Sequence, residues 1–279
     1  MDSCGLSWNV DYEPLLTGTG LSVDSHKALV RADTRTILGV AGKDYRAVQP
    51  HEMFSLVETL CQHYSAEFVY GRAIDGGKQA VVEARIPGVI EPKKGDIVEQ
   101  RITVYNAHDY SCAYLGFYTL LRLVCINGMT RSEASSSFRI RHTSGLDERL
   151  KSAIQIMTKG VAYFASYAEK CKVLAQKIVD KKMVEKFLDE VIGTPMVTDP
   201  ETGEVRHSVR IENKRKEVVN LFQNGSGNEG ETAWDLYNGL SEYADHFHNE
   251  DDSDRRFSSS LVGTNADLKS RAFDVALTL

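Results

Sequence analysis

The stretch Thr36-Ile37-Leu38-Gly39-Val40-Ala41-Gly42-Lys43-Asp44-Tyr45-Arg46-Ala47-Val48-Gln49-Pro50 decides the fold class. Two short runs rich in β-branched and aromatic residues, Thr36–Ala41 and Tyr45–Gln49, flank a Gly42-Lys43-Asp44 turn, which predicts a hairpin. Pro50 suits the first turn of a helix. Behind it Phe54, Val57, Leu60, Cys61 and Tyr64 recur at helical spacing. Two more strands are expected at 66–74 and 78–86, joined across Asp75-Gly76-Gly77. Ala80, Val82, Ala84 and Ile86 alternate there with Val81, Glu83 and Arg85, as in a sheet covered on one face. A further strand at 97–106 completes a hairpin–helix–hairpin–strand order. The expected fold is α+β: a curved antiparallel sheet backed by a long helix, with a helical C-terminal segment.

Outward from this core the signals are uneven. The N-terminal segment 1–35 is mixed, and its Gly18-Thr19-Gly20 is no phosphate loop, since no Gly-Lys-Ser/Thr follows. The loop Pro87–Gly95 reads as exposed and mobile. Periodicity leaves Ser111–Asn127 open between strand and helix, whereas Phe138–His142 alternates as a short strand. Ser144-Gly145-Leu146-Asp147 fits a helix start. From Leu146 to Ile178 an apolar stripe runs in steps of three and four, with Gly160 as the place for a break. A single helix of that length spans ~50 Å. The core is thus expected over 36–192, then a hairpin around Pro200–Gly203 and a charged helix within 193–222. Over 223–279 a flexible linker, Gln223–Glu231, precedes an acidic helical segment docked through Trp234, Leu236, Tyr237, Leu240 and Tyr243.

The 279 residues are 42% hydrophobic and 26% charged, an ordinary globular composition that excludes disorder, collagen-like repeats and miniature disulfide scaffolds. No window approaches the ~20 apolar residues of a membrane span, and Met1-Asp2-Ser3-Cys4-Gly5 has none of the marks of a signal peptide. Cysteines at 4, 61, 112, 125 and 171 include no CxxC pair, so they read as reduced thiols of a cytosolic protein. The net charge of −6 argues against a generic nucleic-acid binder, yet residues 101–182 hold 13 basic and 6 acidic residues, net +7.

Residue chemistry offers three readings. Asp245–Asp254 is rich in metal-ligand types but lacks the alternating acids, glycine and terminal glutamate of an EF-hand, so a solvated acidic loop is the expectation and no metal or cofactor is assigned. No local signature pairs a nucleophile with a base, which makes an enzyme the less favoured reading. Polyanion binding has the best support. Arg139 and Arg141, two apart on a strand, share a face at ~7 Å spacing, similar to successive phosphates of an extended strand. Arg101 with Tyr105, and Lys43 with Tyr45-Arg46, add cation-plus-aromatic pairs of the kind that track a backbone and stack bases.

Four stretches carry a resemblance: Leu38–Gln49, Arg122–Met129, Phe138–Thr143, and Trp234-Asp235-Leu236-Tyr237-Asn238-Gly239-Leu240-Ser241-Glu242-Tyr243-Ala244-Asp245-His246. In this order they resemble the phage- and plasmid-encoded family classed as a domain of unknown function. The element order, and Val40–Phe54 in particular, is also similar to the core of single-strand annealing proteins. That second likeness implies a homo-oligomeric ring or filament that binds single-stranded DNA without ATP during phage or mobile-element recombination, in the bacterial cytoplasm and away from membranes. Lys43, Arg46, Arg101, Arg139, Arg141 and Lys151 would contact phosphate, Tyr45 and Tyr105 would stack bases, and Arg122 and Arg131 are second choices. A protein-interaction module that inhibits a host protein, or a metal-dependent enzyme on nucleic acid, are the rival expectations.

Overall fold

The computed structural model describes all residues except 1, 126, 131–136, 144, 158–160, 199–202 and 248–251. The chain is an α+β protein with antiparallel strand pairing and a helical C-terminal part. It forms two compact units: Met1–Gly88 with Gln100–Thr119 and Ser132–Tyr163, and Val89–Glu99 with Leu120–Arg131 and Phe164–Leu279.

The first unit opens with a three-stranded antiparallel sheet of β1 (Val10–Leu16), β2 (Ser22–Arg31) and β3 (Ile37–Gly42). The expected Thr36–Gln49 hairpin is corrected here. β3 pairs backwards with β2, Ala28 facing Val40, and Tyr45–Gln49 is extended but unpaired as a strand. Its polar groups bond elsewhere: the Ala47 amide donates to the Tyr12 hydroxyl (2.9 Å), the Arg46 amide to the His142 carbonyl (3.2 Å), and the Gln49 carboxamide bridges the Val10 amide and carbonyl. With those groups satisfied, Tyr45, Ala47 and Val48 are buried.

Helix α1 (Pro50–Tyr64) starts on the expected proline, and the Glu52 carboxylate accepts the Gln49 amide at 2.7 Å. Its buried residues are Pro50, Met53, Leu56, Val57 and Leu60, so the apolar stripe is rotated from the one the aromatic positions implied. The larger sheet has the order β4 (Glu67–Ile74), β5 (Gln79–Ile90), β6 (Val98–Ala107), β7 (Tyr114–Arg122), β8 (Asn127–Thr130), with β9 (Phe138–Ile140) also paired to β7. Within Ser111–Asn127, left open between strand and helix, Tyr114–Arg122 is strand and 123–125 is a turn. Residues 80–84 of β5 are buried without alternation, against the expectation of one covered face. Glu83 tolerates this because Arg101 (3.0 Å) and the Thr103 hydroxyl (3.0 Å) both donate to it.

Gly39 of β3 sits against the turn after β6: a Cβ there would meet the His108 carbonyl oxygen at 2.5 Å. Gly39→Ala is therefore expected to lower stability by about 1–3 kcal/mol, read from urea unfolding, because backbone cannot yield as a flexible side chain does.

The apolar stripe after Leu146 is carried by α2 (Leu146–Met157) and α3 (Val161–Gln176), on either side of the undescribed 158–160. Ser144, the expected cap, lies outside the described residues. In the second unit α4 (Lys181–Val191) leads to the short β10–β11 ladder (Met196–Thr198, Val205–His207), α5 (Val209–Asn224), α6 (Ala233–Glu242), a π-helical turn, α7 (Ser253–Val262) and α8 (Thr264–Thr278). Every residue of α6 is buried; Thr232 and Asp235 close its first turn by reciprocal side-chain-to-amide bonds. No helix among the described residues is long and apolar enough to cross a membrane.

Candidate functional site

The first unit contains a cleft of about 610 Å³, within the range of about 300–1,000 Å³ typical of ligand sites. Four chain segments meet at it: Ser25–His26 of β2, Gly42–Tyr45 at the end of β3, Tyr110–Ala113 between β6 and β7, and Arg139–Thr143 at and after β9.

Local geometry explains the convergence. The Gly42–Tyr45 turn closes by Tyr45 N–H to Gly42 C=O (3.0 Å) and is tied to β2 by Lys43 N–H to Ser25 C=O (3.0 Å). Strand β9 buries Phe138 and Ile140 and turns Arg139 outward, opposite Leu115 of β7; Arg141 follows, also exposed. Behind them the Arg149 guanidinium of α2 donates to the carbonyls of Arg141 (3.1 Å) and Thr143 (3.3 Å) and to the Thr143 hydroxyl (2.8 Å), fixing the arginine segment. Among the described residues no carboxylate is paired with Lys43, Arg139 or Arg141. Asp44, exposed beside Lys43, is the one carboxylate in the cleft wall.

Three rings lie together in the wall. Tyr45 is stacked on His142 (centroids 4.9 Å, 22°) and tilted against Tyr110 (5.3 Å, 43°). Tyr45 is itself buried, and its hydroxyl donates to the Ala107 carbonyl (3.3 Å), so it acts as a spacer, with its faces occupied by its neighbours. Burial pushes its phenol above the ordinary value. Tyr110 is the exposed ring, 56% accessible, with its oxygen accepting the Gly42 amide at 3.0 Å. Burial pushes the Cys112 thiol up to about 12, against the pull of Arg139, so it stays a thiol at neutral pH. Burial also holds the His142 imidazole down to about 4. At neutral pH the cleft therefore presents three cations against the single Asp44 carboxylate, with His26 and the uncharged His142 imidazole and one free aromatic face in its wall.

Of the sequence-proposed residues, Lys43, Tyr45, Arg139 and Arg141 line this cleft. The others do not. Arg46 is ion-paired with Glu52 (2.5 Å), whose carboxyl stays below its ordinary value although burial opposes this. Arg101 is spent on Glu83 within the sheet. Lys151 is exposed on α2 outside the cleft, and Arg131 lies outside the described residues. Two assignments are corrected. Tyr105 is 1% exposed with its hydroxyl on the Gln79 carboxamide (2.5 Å), leaving no face for a base. Arg122 is wholly buried in the second unit: its guanidinium donates twice from Nε to Asp96 (2.8 and 3.0 Å), and further to Asp96, Asn228 and the carbonyls of Ser226 and Gly227. The expected flexible linker is thus a loop closed around Arg122, and the expected mobile loop Pro87–Gly95 is corrected too: Pro87–Ile90 completes β5, and Lys93 beyond it is anchored on Asp235 (2.8 Å).

Tyr110 and His142 escaped the sequence reading. Tyr110 follows an Asp in a turn, where no periodicity marks it; His142 was visible only as the end of a strand. The acidic stretch begins with Asp245 held by Lys269 (2.6 Å) and the Gly128 amide (3.0 Å), and Asp252 caps α7; residues 248–251 are not described. No group of three metal-ligating side chains occurs among the described residues, and all five cysteines are free thiols.

Fold and cleft together define an α+β protein with a cationic, aromatic-edged pocket built from four separate chain segments. The chain belongs to the family described as a domain of unknown function (DUF932), whose model matches residues 37–270. No curated protein and no solved structure matches it.

Proposed function

We propose that this protein binds single-stranded DNA through the cleft of the first unit and anneals complementary strands without ATP, as a homo-oligomer, in the recombination of phages or mobile elements. One observation carries the binding step: Lys43, Arg139 and Arg141 surround one cleft unneutralised, with the exposed Tyr110 ring at its wall. Phosphates would take the cations and release their counterions. The bases would stay available to pair, with one stacked on Tyr110. The rest of the positive segment 101–182 is partly consumed internally, since Arg101 and Arg122 are ion-paired. The assembly and recombination steps extend the likeness to annealing proteins and stand or fall with strand binding.

The salt dependence of binding tests this. The logarithm of affinity for a single strand should fall linearly with the logarithm of salt, with a slope of about 0.7 per phosphate neutralised. Arg139→Ala with Arg141→Ala should flatten the slope by about 1.4 with the thermal melt unchanged, both side chains being exposed. Arg46→Ala should change the slope little, because that guanidinium is already neutralised. An unaltered slope in the double variant removes the two arginines from the interface.

A further inference from the structure

The second unit gathers a group of cations that takes no part in the cleft. Arg210 and Lys214 lie four residues apart on α5 and so share a face of that helix. Arg271 of α8 reaches the same neighbourhood. Its guanidinium donates to the Val191 carbonyl at the end of α4 (2.6 Å), while Arg215, the residue after Lys214, donates to the Gly193 carbonyl two residues on (2.9 Å). The Lys214 ammonium lies 5.4 Å from the centroid of the Tyr243 ring, in the π-helical turn Tyr243–Phe247.

The acids of these elements are engaged with other cations. Glu185 and Asp189 are ion-paired with Arg215, and Glu212 with Lys216 (2.7 Å). Among the described residues neither Lys214 nor Arg210 has an ion pair or a side-chain hydrogen bond. A lysine drawn partly out of water is normally paired. Here burial and the charges of Arg271 and Arg210 hold the Lys214 amine below its ordinary value. Arg210 and Arg271 are exposed and Lys214 is half-buried, so a solute reaches all three. Arg271 also borders a groove with Glu190, Asp267 and Asp274, which puts the centre of the unbalanced charge on Lys214 and Arg210, with Arg271 at its margin.

We propose that Arg210, Lys214 and Arg271 form a seat for a phosphate group in the second unit, made of residues other than those of the cleft. The proposal goes beyond strand binding at the cleft and does not depend on it. An ammonium and two guanidinium groups offer only donors, and together they offer more than one carboxylate can accept. A phosphate accepts from all three and carries enough charge to offset their repulsion. The same chemistry serves a free phosphate ion or a phosphate of a nucleic-acid backbone. The two differ in consequence, because only the second adds to the salt dependence of strand binding.

The test is calorimetric titration of inorganic phosphate, at ionic strength held constant with sodium chloride, into the full chain lacking the cleft cations (Lys43→Ala, Arg139→Ala and Arg141→Ala). Binding should remain saturable in that protein, and Arg210→Gln with Lys214→Gln should weaken it by about tenfold or more. The phosphate-free melting temperature of that variant should be unchanged or higher, since the substitutions relieve like-charge repulsion. Arg210→Gln alone, at an exposed position, should cost a smaller part of the affinity and decides the matter if the double variant does not fold. No saturable binding in the cleft-deficient protein, or binding that these substitutions leave intact, overturns the seat and leaves the cleft reading untouched. A second arm identifies the source of the phosphate, using a labelled single strand and Arg210→Gln with Lys214→Gln in protein with an intact cleft. A salt slope lowered by about 1.4 assigns the seat to the strand's backbone, and an unchanged slope assigns it to free phosphate.

Discussion

Arg122→Ala is expected to destabilise the second unit by about 3–5 kcal/mol, a large part of the 5–15 kcal/mol that holds a typical domain together. The reason is the company Arg122 keeps. Its guanidinium is inaccessible to solvent and is the cationic partner of Asp96, itself 8% exposed. Trp234 donates its indole N–H to the same carboxylate at 2.8 Å. Removing the guanidinium leaves a buried carboxylate with a neutral donor, and it also strips donors from the Ser226 and Gly227 carbonyls and the Asn228 side chain. Arg122→Lys should recover little, since one ammonium cannot serve a carboxylate and three further acceptors in fork geometry. Combining Arg122→Met with Asp96→Leu should cost less than either alone, because no lone buried charge remains. Urea unfolding at neutral pH reads these five variants beside the wild type. A loss below about 1 kcal/mol for Arg122→Ala would mean the pair is dispensable.

The second large effect is acid sensitivity from two buried histidines. Burial holds His142 down to about 4, and burial together with the nearby His142 holds His108 down to about 3. In the unfolded chain both regain an ordinary value near 6.5. A depressed histidine binds its proton more readily when unfolded, so stability is full above about pH 6.5 and is lost as pH falls toward the folded values. Each histidine contributes about 1.4 kcal/mol per pH unit within its window. By pH 5 the two together should have removed about 4 kcal/mol. His142→Asn and His108→Asn should each remove about half of the slope between pH 6.5 and 5. That range isolates the histidines: Asp235 and Glu52, whose carboxyls lie below their ordinary values in the fold, lose their contribution only at lower pH. A flat stability profile from pH 7 to 5 would contradict the burial of both rings.

What the sequence made legible follows from how local each signal is. The strands of β4–β6 and the helix start at Pro50 were readable because apolar runs, turn glycines and a proline are signals contained within a few residues, although the alternation expected in β5 is absent. The Arg139–Arg141 pair was readable for the same reason, since two residues on a strand always share a face. Arg122 looked like an equal candidate, because what distinguishes it, Asp96, Trp234 and the Ser226–Asn228 loop, is distant in the chain. Tyr105 misled in another way. Its spacing of four from Arg101 on one strand suggests a shared exposed face, but β6 is largely buried there, and Gln79 satisfies its hydroxyl. β1 and β2 were missed because Pro14, Gly18 and Gly20 break the pattern that their pairing restores. His142 and Tyr110 are defined by packing and by an unusual backbone angle, which no spacing reveals.

The central claim is strand binding at the cleft of the first unit. It is tested most directly by fluorescence anisotropy of a labelled single strand of about 40 nucleotides, beside a duplex of equal length, at two salt concentrations. The account predicts tighter binding of the single strand, weakened by salt and by loss of Lys43, Arg139 and Arg141. No binding of the single strand at low salt, or equal binding of the duplex that ignores these three substitutions, would contradict it.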